Sequence, residues 1–182
     1  EDEWRILDNL GFTLGGRYED HSGFGGQFSP RAYLVWNAND ELTIKGGVST
    51  GYKAPSAKDL HNGIISITGQ GTSFNIGSPD LKPEESINYE LGFNYNNGNL
   101  DLTTTAFFNK IDNLITDGPE LLNCFSTVNP NAPGCVSYGS HITQASFAQK
   151  INANEAETKG VELSLNYTII PEWDIKAAYT YT

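Results

Sequence analysis

Apolar and polar residues alternate along most of this chain. From Leu10, one face carries Leu10, Phe12, Leu14, Gly16 and Tyr18, and the other Gly11, Thr13, Gly15, Arg17 and Glu19. A period of two is the mark of a β-strand with unlike surroundings on its two sides. The pattern returns over 27–37, with Phe28, Ala32, Leu34 and Trp36 opposite Ser29, Arg31 and Tyr33. Pro30 falls near the start of that strand, where a missing donor is tolerated. It is cleanest over 42–53, where Leu42, Ile44, Val48, Thr50 and Tyr52 oppose Thr43, Lys45, Gly47, Ser49, Gly51 and Lys53. Further strands are expected over 86–95, from 100 to about 115, over 146–168 as one long returning strand, and from Trp173 onwards. Residues 1–6 read as the end of another.

The connections sort these strands. Those near 7–9, 37–41, 96–99 and 169–173 are short, and Asn97-Gly98 is a strong hairpin signal. Those near 20–26, 54–84 and 118–145 are longer. Short and longer ones alternate, which places the longer ones at one end, as in outer-membrane barrels. Lys45 and Lys53 on a regular polar face call for water on that side. Trp36, Tyr95, Tyr167 and Trp173 beside the short turns, and Tyr18, Phe28 and Tyr52 beside the longer loops, make two aromatic rows of the kind bilayer interfaces select. The expected fold is all-β: an antiparallel transmembrane β-barrel. Both termini fall inside strands, so an open piece of a larger barrel is expected rather than a small closed one.

Composition agrees with that expectation. Hydrophobic residues are 38 % and charged residues 18 %, with a mean hydropathy of −0.39, because every second strand residue can be polar. No apolar run is long enough for a membrane helix, and no signal peptide is visible. The net charge of −11 argues against nucleic acid. It permits a cation or metal-bearing ligand, but solvated loops are the preferred account of it. Cys124 and Cys135 lie in a polar, proline-containing segment and are expected to form a disulfide in an oxidising compartment rather than a metal pair. No nucleophile–base motif, phosphate loop or metal-ligand cluster points to an enzyme. Glu84 and Glu85 face opposite sides of a strand. A passive porin and a secreted β-sandwich are the alternatives from other classes.

Several motifs carry a resemblance. Gly51-Tyr52-Lys53-Ala54-Pro55-Ser56, Ser78-Pro79-Asp80-Leu81-Lys82-Pro83-Glu84-Glu85-Ser86, Tyr89-Glu90-Leu91-Gly92, Phe107-Phe108-Asn109-Lys110-Ile111-Asp112-Asn113-Leu114-Ile115 and Ala156-Glu157-Thr158-Lys159-Gly160-Val161-Glu162-Leu163 resemble the barrel of TonB-dependent outer-membrane receptors. The resemblance covers nearly all of residues 1–182. It implies about a third of a barrel of about 22 strands, from its C-terminal half, with short periplasmic turns and extracellular loops at about 54–84 and 118–145. The N-terminal plug of such receptors has no counterpart here. The resemblance implies the outer membrane of a Gram-negative bacterium, contact with its lipid, uptake of a ferric siderophore, energy from the TonB–ExbB–ExbD complex through the plug, and colicins or phage as further partners at the loops.

Within that family the pattern most resembles receptors for ferric catecholate siderophores, of the colicin I receptor and ferric enterobactin receptor type. Their ligand is an anionic ferric complex, which basic and aromatic residues at the lumen mouth would suit. Arg17, Arg31 and Lys53 are the candidates, each with a wall carboxylate such as Glu19 or Glu90 as an alternative partner. A haem receptor, or one for another metal complex, is the second reading, with Tyr52-Lys53-Ala54-Pro55 and Ser78-Pro79-Asp80-Leu81 flanking His61 as a ligand.

Overall fold

The computed structural model describes residues Glu1–Thr182. In chain order the strands are β1 (Asp2–Leu7), β2 (Leu10–His21), β3 (Gly25–Asn37), β4 (Leu42–Lys53), β5 (Ile64–Thr68), β6 (Ser73–Ile76), β7 (Glu84–Asn96) and β8 (Leu100–Asp112). They continue with β9 (Ile115–Asp117), β10 (Leu121–Leu122), β11 (Ser146–Asn152), β12 (Glu155–Ile170) and β13 (Trp173–Tyr181). Two compact units result: Glu1–Tyr52 with Glu85–Ile111 and Ala156–Thr182, and Lys53–Glu84 with Asp112–Glu155.

The first unit is an eight-stranded sheet in the order β1-β2-β3-β4-β7-β8-β12-β13. Its register keeps like with like. Leu10 pairs with Trp36, Phe12 with Leu34, Leu14 with Ala32 and Tyr18 with Phe28. Ala32 pairs in turn with Val48, and Trp36 with Ile44. Slipping this register by one residue would send every apolar side chain to the other face. The apolar face is left uncovered: Tyr18 is 68 % exposed, Phe28 62 % and Trp173 69 %. A continuous apolar face of this kind matches the lipid-facing side of a membrane barrel. Glycines let rings lie flat on both faces. A Cβ on Gly16 would collide with the Phe28 ring, and one on Gly47 with the Tyr33 ring.

At the short-turn end, neighbouring turns are tied by backbone bonds. Asn37 N donates to Asn9 O, Asn96 N to Glu41 O and Thr168 N to Asn99 O, each at 2.8 Å. The Asn39 carboxamide accepts from Glu41 N and Leu42 N at 2.9 and 2.8 Å, the local closure that makes Asn a turn former.

Three expectations need correction. The connection near 20–26 is not one of the longer loops. The β2–β3 ladder runs to His21–Gly25, and Phe24 N donates to His21 O at 3.1 Å. Gly25 closes this tight turn at φ 76°, a conformation glycine adopts freely. Pro30 sits inside β3 rather than near its start. The β3–β4 pairing runs only as far as Arg31–Ser49, so the missing proline N–H interrupts nothing, and Pro30 O instead accepts from Thr50 Oγ1 at 3.0 Å. The long strand expected over 146–168 is two strands. The chain turns at 153–154, where Ala153 N donates to Leu114 O at 2.7 Å and Asn113 N to Asn154 O at 3.1 Å, with Asn113 at φ 57°.

The second unit has its own sheet, ordered β10-β11-β6-β5 with β9 also paired to β11. β11 runs parallel to β6 and antiparallel to β9 and β10. Ile76, Leu81, Ala132 and Phe147 are buried in it. The Tyr138 and Phe147 rings meet edge-on at 5.6 Å, an arrangement the ring quadrupoles favour.

Candidate functional site

The polar face of the eight-stranded sheet carries a groove of about 450 Å³, lined among others by Arg17, Glu19, Ser29, Arg31, Ser49 and Tyr52. Strand alternation puts Arg17 and Arg31 on this face, and the register places Arg17 opposite Ser29 and Arg31 opposite Gly15. So the structure brings these two candidates together. Each already has a carboxylate: Arg17 pairs with Glu19, the partner named from sequence, and Arg31 with Glu1 at 2.9 Å. Both arginines are more than half exposed, and ion pairs of this kind hold weakly against water. They can exchange a carboxylate for another anion at small cost. Glu90 takes a different partner, accepting from Tyr33 Oη at 3.4 Å.

Tyr52, which alternation assigns to the face of Val48 and Thr50, also borders this groove, and its hydroxyl is buried with no hydrogen-bond partner. A hydroxyl in that condition is unfavourable until something accepts from it.

Lys53 lies in the second unit. Its Nζ is 2.7 Å from Glu84 Oε2, and Ile115 N donates to Glu84 Oε1 at 2.8 Å. The Glu84 side chain is only 11 % exposed. Burial pushes its carboxyl upward, but the hydrogen bonds from Lys53 and Ile115 and the lysine charge outweigh this and hold it below its ordinary value. Lys53 is therefore a structural partner first.

His61 also lies in the second unit, at the end of a turn in which His61 N donates to Lys58 O at 3.2 Å. Its imidazole rests against Gly63. A separate groove of this unit, about 290 Å³, is lined by Lys58, Asp59, Asn75, Asp117, Gln149 and Lys150, among others. Lys150 in it pairs with Asp117 at 2.9 Å.

Cys124 and Cys135 form a disulfide, with Cα atoms 5.1 Å apart. Two asparagines missed in the sequence reading organise the same unit. Asn123 is fully buried. Its Nδ2 donates to His141 O and Gln144 O, each at 2.8 Å, and its Oδ1 accepts from Phe125 N at 3.0 Å. Asn152 clamps the two connections together. It accepts from Lys82 N at 2.8 Å and donates to Lys82 O and Asn113 O at 2.9 and 2.7 Å. No sequence signal distinguishes these two asparagines from the many others.

The TonB-dependent receptor-like β-barrel model matches residues 1–182. The chain is 38 % identical to an iron-regulated outer membrane virulence protein of Vibrio cholerae, over 100 % of its own length and 26 % of that protein. It is 30 % identical to the ferrienterobactin receptor of Escherichia coli, over 93 % of its length and 21 % of that protein. Among solved structures, the siderophore receptor PirA from Pseudomonas aeruginosa superposes with a TM-score of 0.77 at 23 % identity, covering 97 % of this chain and 31 % of that one. The chain thus spans about a quarter of the length of the curated relatives it matches, one of which is named as a receptor. Strand order, uncovered apolar face, polar inner groove and a match along its full length together identify this chain as a member of the TonB-dependent receptor-like β-barrel family of Gram-negative outer-membrane proteins.

Proposed function

We propose that the full-length protein is an outer-membrane receptor for TonB-dependent uptake of a ferric siderophore, of the catecholate class. The observation that carries this reading is the groove on the polar face, where two exposed arginines stand in replaceable ion pairs. An anionic ferric catecholate offers oxygens to both, and rings that stack on guanidinium groups. The relative named as a ferrienterobactin receptor supports the same ligand class. Arg17 and Arg31 are the proposed wall contacts. Lys53 and His61 are separate candidates in the second unit, whose connections, about 54–84 and 118–145, are proposed to face the cell exterior. Energy would come from the TonB–ExbB–ExbD complex, engaged by the plug that such receptors carry. Colicins or phage would use the same exterior loops.

The test is intrinsic fluorescence of the full-length receptor in detergent, titrated in parallel with a ferric catecholate and with haemin. Saturable quenching by the ferric catecholate, weakened about tenfold or more by Arg17→Ala combined with Arg31→Ala, is expected, since charge-assisted contacts are each worth roughly 1.5–3 kcal/mol. Quenching by haemin alone, abolished by His61→Ala, would replace this reading with the haem one.

A further inference from the structure

Two Asn-Gly pairs occur in the chain, Asn62-Gly63 and Asn97-Gly98, and their surroundings are opposite. We infer that Asn62 is a self-modification site, at which His61 and Tyr138 promote intramolecular deamidation to aspartate or isoaspartate. Three groups converge there, all in the second unit. Tyr138 Oη donates to Asn62 Oδ1 at 3.3 Å. His61 Nε2 lies 2.8 Å from where a Cβ on Gly63 would stand, so the imidazole is seated on that glycine. Gly63 has no side chain to shield its amide nitrogen, while Gly63 O accepts from Gly77 N at 3.0 Å and anchors the residue. In the same turn Asp59 accepts from Ser56 Oγ at 2.6 Å, and the side-chain atoms nearest a Cβ on Gly63 are those of the His61 ring.

The chemistry follows from those positions. His61 Nε2 takes the Gly63 amide proton as the nitrogen attacks Asn62 Cγ and forms a new N–C bond. Tyr138 stabilises the negative charge that develops on Oδ1, as a hydroxyl donor does for a tetrahedral oxyanion. The Cγ–Nδ2 bond then breaks, and ammonia leaves with the proton returned by His61. Water opens the resulting succinimide at either carbonyl. The product gains a carboxylate and, in the isoaspartyl form, an extra backbone methylene. Asn97 lacks this arrangement. Its Oδ1 accepts from Asn99 N and Leu100 N at 3.2 and 2.9 Å. The Gly98 nitrogen that would have to attack is held by Asn96 Oδ1 at 2.8 Å.

The experiment is timed incubation of the full-length protein in detergent at neutral pH, followed by peptide mass spectrometry of both asparagines. Asn62 is expected to convert faster than Asn97 in the unmodified protein, a comparison that needs no variant. His61→Ala should slow Asn62 about tenfold, a decade below the roughly 10²–10⁴-fold that a positioned general base contributes in enzymes. Tyr138→Phe keeps the ring against Phe147 and removes only the hydroxyl; it should slow Asn62 several-fold and leave Asn97 unchanged. Equal rates at the two asparagines, or an Asn62 rate untouched by either substitution, would overturn the inference.

Discussion

Burial disfavours the charge on Glu84, and the donors Lys53 and the Ile115 amide more than offset it. Its folded pKa lies below the ordinary value of 4.5. Such a group contributes stability that is fully present above the unfolded value and lost as pH falls through the folded one. Glu84→Gln is therefore expected to destabilise the second unit at neutral pH by about 1–2 kcal/mol, in line with hydrogen bonds to a charged acceptor discounted for the exposed lysine. The difference from the unmodified protein should shrink under acid conditions. Hydrogen exchange at the Ile115 amide reports it directly, and equal protection in both proteins at neutral pH would refute the assignment. Asn123 presents the neutral counterpart. Asn123→Ala removes a fully buried side chain that donates to two carbonyls and accepts from an amide, at a cost of about 2–3 kcal/mol, and should appear as faster exchange across 123–145 with the eight-stranded sheet unchanged.

At the scale of elements, alternation carries long strands and fails on short ones. β4 spans Leu42–Lys53, as its pattern predicts, because twelve residues with lipid on one side and water on the other leave a plain record. β5, β6, β9 and β10 have two to five residues each, too few to show a period. Apart from the β5–β6 hairpin, their partners are distant in sequence, with Phe74 opposite Phe147. The site was legible to the same extent. Alternation put Arg17 and Arg31 on the polar face, and proximity named Glu19. Glu1 and Glu84 as partners depend on tertiary pairing that no local pattern records. The disulfide was legible because its two cysteines stand alone in a short polar segment. It closes a loop of sequence separation 11, for which chain entropy gives about 3 kcal/mol. Reduction, or Cys124→Ser with Cys135→Ser, should open the 124–135 segment to proteolysis while heat-resistant barrel mobility on gels is retained. Resistance equal to that of the oxidised protein would show that Asn123 alone suffices.

For the molecule as a whole, the apolar face and the two sheet edges decide behaviour outside a membrane. β1 and β13 end the strand order, and their free backbone groups are templates for further pairing. The isolated chain is expected to aggregate in plain buffer and to disperse only with detergent. A monodisperse monomer by sedimentation without detergent would contradict the membrane reading of that face.

The parallel pairing of β6 with β11, together with the Asn152 clamp on Lys82 and Asn113, bears on how such proteins diversify. The segments that meet there are encoded on either side of the β7–β8 hairpin, yet they share a sheet and a core. Recombination between relatives that imports one connection without the other would leave a strand without its neighbour. Grafts, deletions or epitope insertions in this region are expected to succeed only when Lys53–Glu84 and Asp112–Glu155 travel as a pair, so the two should be inherited together as one exchangeable cassette.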